Sequence, residues 1–418
     1  MEGHEMKLEI RGTDISRGAE VTAPGSKSMA HRMLICAGLA DGVSTVKAVD
    51  ISEDILATID CLKALGAGIT AVTDAGHQSE DIEIGRNVTL MVRGISRGIM
   101  KASVLRCRES GSTLRFMVPL AALSGREVTL TGSRTLLSRP MSVYDNLFAE
   151  KGLRIEHMEE ALLVSGSLPA GTYKLRGDIS SQFVSGLLFA LPLLEGDSRI
   201  VIEGRAESRP YIDMTIEALG QFGVWAGWEQ DGQVISVPGG QSYKSHDVTI
   251  EGDWSGASYL LALGADVSGL NAFSSQGDKT CVDYFRQLDE EAATLDIADT
   301  PDLGPVLAAY AALRRGCTLT GTRRLSFKES DRNAAMQEEL AKFGVDTRIT
   351  ENSMTIGCGA KTPSEILKGH NDHRIVMALA VMCARTGGII DGAEAVNKSF
   401  PDYFGKLQSI GVCVKEVL

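Results

Sequence analysis

Cations and hydroxyls gather where this 418-residue chain turns into helical stretches. In "GSKSMAHR", Ser28 and Arg32 stand four apart, on one face near a helix N-terminus. Free backbone N–H groups and the helix dipole already favour an anion there. "SFKESDRNAAMQEEL" sets Lys328 and Arg332 four apart, with Glu329 and Asp331 between them. Like charges at that spacing repel by about 0.2–0.5 kcal/mol unless an anion or carboxylate sits between them. "NDHRIVMALAV" places His373 and Arg374 before an apolar helical stretch, and "NKSFPDYF" places Lys398 and Ser399 at a similar turn. In "LLSRPMS", Pro140 holds Arg139 in extended backbone. Two hydroxyl-rich turns complete the set: Ser180, Ser181 and Gln182 in "GDISSQF", and Gly111 to Thr113, then Arg115, in "RESGSTLRF".

Each motif has a plain reading on its own. A cation at a turn is usually a solvated surface charge, Ser-Ser-Gln an N-cap, Lys-Glu-Ser-Asp-Arg a salt-bridged first turn, and His373 a hydrogen-bonded core histidine. Their coincidence in an acidic chain points instead to a site for a polyanionic small molecule, assembled from many loops. "GSKS" is not a nucleotide loop: Ser26 separates Gly25 from Lys27, and the earlier glycine of the Walker pattern is absent.

A formal net charge of −12 disfavours nucleic-acid and anionic-membrane partners. The eight cysteines form no Cys-x-x-Cys pair and no zinc spacing, so they read as small core hydrophobes in a reducing compartment, with no metal implied. No basic segment followed by an apolar run opens the sequence, and the longest apolar stretch, "GLLFALPLLEG", is about half a membrane span. These features predict a cytoplasmic, soluble chain.

The elements that must position the site repeat. Amphipathic stretches close on glycine and lead into short apolar runs: "ILATIDCLKALGAGITAV", "YDNLFAEKGLRIEHM", "MTIEALGQFGVWAGW", "MQEELAKFGVDTRIT" and "YFGKLQSIGVCVKEV". Glycine after the last turn is a helix stop, and the run beyond it reads as a strand. A degenerate sixth copy lies near "YFRQLDEEAATLDI". Between copies, "EVTLTG", "RIVIEG", "DVTIEG" and "CTLTGT" alternate as half-buried strands do. The expectation is a repeated α/β unit, with any domain crossings short and built into strands.

Together the motifs resemble those of the EPSP synthases (3-phosphoshikimate 1-carboxyvinyltransferases), within the enolpyruvyl transferases. The matching stretches are "PGSKSMAHR", "ESGSTLR", "SRP", "GDISSQF", "SRPYIDMT", "EGDWSGASY", "TPDLGP", "KESDR", "NDHR" and "NKSFPDYF", in the family's order along nearly the whole chain. The resemblance implies a two-domain inside-out α/β barrel. Each domain would hold three α/β units, helices inside and sheets outside, with the active site in the interdomain cleft. Residues 24–250 would form one domain, and 1–23 with 251–418 the other.

The implied reaction moves the enolpyruvyl group of phosphoenolpyruvate to the 5-hydroxyl of shikimate 3-phosphate by addition and elimination of phosphate, in a monomer, without cofactor or metal. The resemblance assigns Lys27, Ser28, Arg32, Ser180, Ser181, Gln182, Ser208, Tyr211, Asp302 and Lys328 to shikimate 3-phosphate. It assigns Lys27, Gly111, Arg139, Gln182, Arg332, Arg374 and Lys398 to phosphoenolpyruvate. Asp302, Glu329, Lys27 and His373 surround the reacting centre: Asp302 as base for the hydroxyl, Glu329 as acid at the methylene, and Lys27 as proton donor to the departing phosphate.

Glu109, Trp254 and Arg324 depart from the family's usual residues. Two other readings remain at this level. A UDP-N-acetylglucosamine enolpyruvyl transferase calls for a reactive loop cysteine, for which Cys107 in "RCRESG" is the candidate. A non-catalytic anion-binding relative predicts loss of the reacting-centre carboxylates, yet Asp302 and Glu329 are both present.

Overall fold

The computed structural model describes residues 6–12, 18–73, 75–96 and 102–417. The chain divides into two compact units, one formed by Lys27–Glu251 and the other by Met1–Ser26 with Gly252–Leu418.

One plan recurs in both units. Strand Val104–Arg106 leads through helix Gly111–Ala122 to a parallel neighbour, Val128–Thr131. Helix Ser142–Glu150 then leads to a hairpin of Arg154–His157 and Ala161–Ser165, which extends the sheet antiparallel. The same order of one parallel pair followed by antiparallel neighbours is built on Thr172–Arg176 and Ser198–Glu203. It is built again on Ala293–Asp296 and Cys317–Thr320.

In the sheet led by Leu367–Lys368 and Gly388–Asp391, the third strand is Lys7–Arg11, from the other end of the chain. In the sheet of Val43–Ile51, the parallel partner Val248–Thr249 likewise comes from far along the sequence. The sixth sheet is reduced to the parallel pair Glu20–Thr22 and Asp266–Ser268.

The glycine stops lie where the sequence predicts them. Gly66, Gly152, Gly223, Gly344 and Gly411 all follow a helix with φ between 74° and 116°, a left-handed conformation that only glycine adopts without a Cβ penalty. The degenerate copy, helix Cys281–Glu290, has no glycine and leaves instead through an extended Glu291.

Burial follows the layers. The strands alternate, as in Thr172–Arg176, where only Tyr173 and Leu175 are buried. Several helices are apolar on all sides. In Ser181–Ala190 every residue except Gln182 is buried, and in Lys27–Leu39 burial is continuous from Met29. Each fully buried Leu, Ile or Phe contributes about 1.5–3 kcal/mol relative to exposure, so these helices have no face to spare for solvent. Their polar groups gather in the first two turns, where Arg32 and Ser185 are buried.

Six of the cysteines are buried, as a core reading predicts, but Cys358 is exposed and Cys413 half-buried, each in irregular or edge structure. Among the described residues no helix is long and apolar enough to cross a membrane.

Candidate active site

In the Lys27–Glu251 unit, the polar groups predicted for binding stand at helix starts, and hydrogen bonds tie those starts together. Lys27 opens its helix, and its Nζ lies 2.6 Å from Asp54 Oδ2 in the first turn of helix Glu53–Leu65. Thr58 of that helix meets Thr113 of helix Gly111–Ala122 at 2.7 Å. Ser112 accepts from Gln182 Nε2 at 2.8 Å, and Gln182 Oε1 accepts from Arg115 at 2.6 Å. Ser185 and Thr215 are 2.7 Å apart, joining helices Ser181–Ala190 and Arg209–Gln221. Arg32 returns to the first helix: its Nε donates to Thr215 Oγ1 at 2.8 Å, and its terminal nitrogens donate to the carbonyls of Tyr211 and Ser28.

Local sequence explains these starts. Ser110 and Ser180 are N-caps, accepting from Thr113 N and Gln182 N. Ser208 caps Arg209–Gln221 in a left-handed conformation with φ 55° and is buried. Ser181 is buried beside its cap, and Tyr211 is partly buried. Ser28 and Arg32 do share a face, as their spacing predicts. Arg32, however, is buried and braces backbone carbonyls; burial draws its pKa down to about 10. Gly111 accommodates Arg139 closely: a Cβ there would lie 2.7 Å from an Arg139 terminal nitrogen.

In the other unit the charges form one cluster. Asp302 Oδ1 accepts from Lys328 Nζ and from an Arg332 terminal nitrogen, both at 3.0 Å, and its Oδ2 accepts from Arg374 at 2.9 Å. Arg332, 1% exposed, also donates to Glu329 at 2.6 Å and, through Nε, to Asp372 Oδ2 at 2.8 Å. Burial works to raise the Asp302 pKa, but Arg374, Lys328 and Arg332 outweigh it and hold the carboxyl well below its ordinary range. Burial lowers the Lys328 pKa, with Asp302 opposing. Arg332 is pushed the other way: Asp372, Glu329 and Asp302 overcome its desolvation.

Lys328 and Arg332 do not share a helix. Lys328 follows the short turn Arg323–Phe327, whereas Arg332 opens helix Arg332–Lys342 behind its cap Asp331. The carboxylate that reconciles them is Asp302, beside helix Gly304–Ala312. Asp372 caps helix His373–Thr386, accepting from Arg374 N at 2.9 Å. His373 is buried, with Nδ1 4.0 Å from Asp372 Oδ1. Lys398 donates to the carbonyl and side chain of Asn371 at 2.9 and 2.7 Å.

Asp54, Asp372 and Thr215 were not foreseen, whereas Ser112 stands in the hydroxyl-rich Gly111–Thr113 turn. An aspartate directly before His373-Arg374 carries an N-cap signal that points to Asp372; Asp54 and Thr215 carry none. Of the departures, Trp254 is nearly buried, with its indole N–H bound to Asn271 O at 2.9 Å. Arg324 is buried and donates to Ala298 O. Glu109 is half-buried. Cys107 is fully buried, with Sγ 4.0 Å from that of Cys61, and the Cys61 thiol together with burial raises its pKa well above the ordinary thiol value. A thiol kept protonated is not the nucleophile that the nucleotide-sugar reading requires.

The family model for EPSP synthase (3-phosphoshikimate 1-carboxyvinyltransferase) matches residues 15–283 and 263–407. Among similar curated proteins, the 3-phosphoshikimate 1-carboxyvinyltransferase of Clostridium kluyveri is 40% identical, over 94% of this chain and 95% of its own. That of Clostridium novyi is 36% identical, over 95% and 96%. The solved structure of EPSP synthase from Acinetobacter baumannii shares the two-domain α/β fold, with a TM-score of 0.76 at 23% identity over 99% of this chain and 100% of that one. Motif order, fold and full-length similarity agree, and the chain belongs to the EPSP synthase (3-phosphoshikimate 1-carboxyvinyltransferase) family.

Proposed function

We infer that the chain transfers the enolpyruvyl group of phosphoenolpyruvate to the 5-hydroxyl of shikimate 3-phosphate and releases phosphate. The observation that carries the division of roles is Asp302, kept ionised among three cations with Glu329 on the far side of Arg332. Lys27, Ser28, Arg32, Ser180, Ser181, Gln182, Ser208 and Tyr211, with Asp302 and Lys328, take shikimate 3-phosphate. Lys27, Gly111, Arg139, Gln182, Arg332, Arg374 and Lys398 take phosphoenolpyruvate. Supporting these sets is the gathering of polar groups at the starts of mainly apolar helices.

In the addition, the 5-hydroxyl oxygen bonds to C2 of phosphoenolpyruvate. Its proton passes to Asp302, and C3 takes a proton from Glu329 to become a methyl group. In the elimination, the C2–O bond to phosphate breaks and its electron pair leaves with phosphate. C3 returns a proton to Glu329, and the double bond reforms. Lys27 protonates the leaving phosphate; as products leave, solvent takes the hydroxyl's proton from Asp302 and returns one to Lys27, so the net transfer carries one proton from the hydroxyl to phosphate. An arginine 2.6 Å from Glu329 favours the carboxylate form. Glu329 therefore delivers its proton once the substrates' anionic groups share Arg332. His373, buried beside Asp372, is taken as a further polar group at the reacting centre.

Within each unit the proposed arrangement is the inside-out α/β barrel, with helices inside and sheets outside. It is supported by helices buried on all sides and sheets with one exposed face.

Phosphate release measured with phosphoenolpyruvate plus shikimate 3-phosphate tests the assignment directly. Release only when a UDP-N-acetylglucosamine acceptor replaces shikimate 3-phosphate would overturn it.

A further inference from the structure

Behind Lys27 and Gly111 runs a line of buried polar groups that the reaction above does not use. His31 Nδ1 lies 2.8 Å from Thr58 Oγ1, and Thr58 Oγ1 lies 2.7 Å from Thr113 Oγ1. The Thr113 hydroxyl donates to Ser110 Oγ at 2.8 Å, and the Thr113 backbone N–H donates to the same oxygen at 3.2 Å. None of the four residues is more than 1% exposed.

Their spacing ties them to the binding groups. His31 is one helical turn after Lys27, and Thr58 one turn after Asp54, so each shares a face with its neighbour in the Lys27–Asp54 pair. Ser110 and Thr113 flank Gly111. The line therefore joins the three helix starts that carry Lys27, Asp54 and Gly111.

The hydrogen bonds have a direction. Burial, reinforced by Lys27 and Arg32, lowers the His31 pKa well below its ordinary value, so the ring is neutral and carries one N–H. Nε2 is buried without a hydrogen-bond partner among the described residues. A buried orphan N–H is rarer and costlier than a buried lone pair, which places the proton on Nδ1. The line then reads His31 N–H to Thr58, Thr58 O–H to Thr113, and Thr113 O–H to Ser110. Thr58 is the member that must both accept and donate.

We propose that this hydroxyl relay is a positioning device for enolpyruvyl transfer, in which Thr58 keeps the Lys27–Asp54 pair in register with the Gly111 turn. It rests on the reading of Lys27 and Gly111 as phosphoenolpyruvate-binding groups. Valine at position 58 would fill the same volume while leaving the buried His31 N–H without an acceptor and the Thr113 oxygen without its donor. Because small misplacements of catalytic groups are amplified in rate, Thr58→Val should raise the KM for phosphoenolpyruvate about tenfold.

The experiment compares steady-state kinetics and thermal midpoints of the full chain, Thr58→Val, Thr58→Ser and Leu62→Ala. Leu62 is a buried apolar residue of the same helix, so its variant controls for destabilisation alone. The expected result is a raised KM in Thr58→Val, recovery to within about twofold in Thr58→Ser, and a lowered midpoint with unchanged KM in Leu62→Ala. Adding Thr113→Val to Thr58→Val should change KM little further, because both interrupt one relay. If Thr58→Val is too unstable to assay, Thr113→Val against Thr113→Ser makes the same comparison.

An unchanged KM in Thr58→Val, or a serine variant no better than valine, overturns the relay while leaving the enzymatic reading intact. A wild-type chain that releases no phosphate from the two substrates overturns that reading, and the relay with it.

Discussion

Replacing Asp302 with asparagine removes one negative charge from a cluster in which it faces Lys328, Arg332 and Arg374 at 2.9–3.0 Å. The amide oxygen can still accept from Lys328 and Arg332. The amide nitrogen, however, takes the place of Oδ2 and turns a donor toward the Arg374 donor. At an effective dielectric of 20, each lost contact at 3 Å is worth about 5 kcal/mol before desolvation is subtracted. Measured costs of breaking a buried charge pair, about 3–5 kcal/mol, are the better guide to the net. For a body of 150–250 residues, a loss of about 3 kcal/mol lowers the unfolding midpoint by about 6–12 °C. In the proposed assignment phosphoenolpyruvate brings negative charge to Arg332 and Arg374, so it should stabilise Asp302→Asn more than it stabilises wild type. Thermal unfolding with and without phosphoenolpyruvate, alongside phosphate release, reads both effects. A variant whose midpoint moves by less than about 2 °C and which keeps half its turnover would refute the reasoning for Asp302 as both charge hub and base.

Three further perturbations have defined outcomes. Lys27→Met removes a cation assigned to both substrates and leaves Asp54 without it; charge-assisted contacts of about 1.5–3 kcal/mol to each anion imply a loss of about a hundredfold or more in kcat/KM. Gly111→Ala puts a Cβ 2.7 Å from the Arg139 guanidinium, so KM for phosphoenolpyruvate should rise about tenfold while KM for shikimate 3-phosphate holds. Asp278 has its pKa raised to about 6 by burial and then by Asp302. A carboxyl with a raised folded pKa favours the fold below its unfolded value, and that contribution is lost as pH rises through about 6. Asp278→Asn should therefore gain thermal midpoint relative to wild type at pH 8 and lose that advantage at pH 4; equal differences at both would contradict the shift.

What could be read from the sequence was whatever is written locally. A left-handed helix stop needs one residue with positive φ, so Gly66, Gly152, Gly223, Gly344 and Gly411 marked the repeats, while the copy at Cys281–Glu290 stops without one, through extended Glu291. The pairing of Lys7–Arg11 with strands from the far end of the chain has no local signature, because either edge of a half-buried strand accepts a partner. Cations announce themselves by type, but their partners do not. The spacing of Lys328 and Arg332 called for a carboxylate, yet Asp302 lies 26 residues before Lys328. Asp54 looks like any first-turn acid, and Thr58, Thr113 and Thr215 look like small residues on apolar helices. Arg32 shows the same limit: a buried guanidinium needs acceptors, and it found them in backbone carbonyls that no side-chain pattern reveals.

The Asp302 cluster also behaves as an ion exchanger. Lys328, Arg332 and Arg374 face Asp302, Glu329 and Asp372, three cations against three carboxylates. An arriving anion gains only what it offers beyond a resident carboxylate. Chloride, or a lone monocarboxylate, offers a single charge and little geometry, and displaces nothing. A ligand that presents a phosphate and a carboxylate together can engage two forked arginines at once and win the competition. The chain's own acids thus set the threshold that an anion must exceed to take these cations.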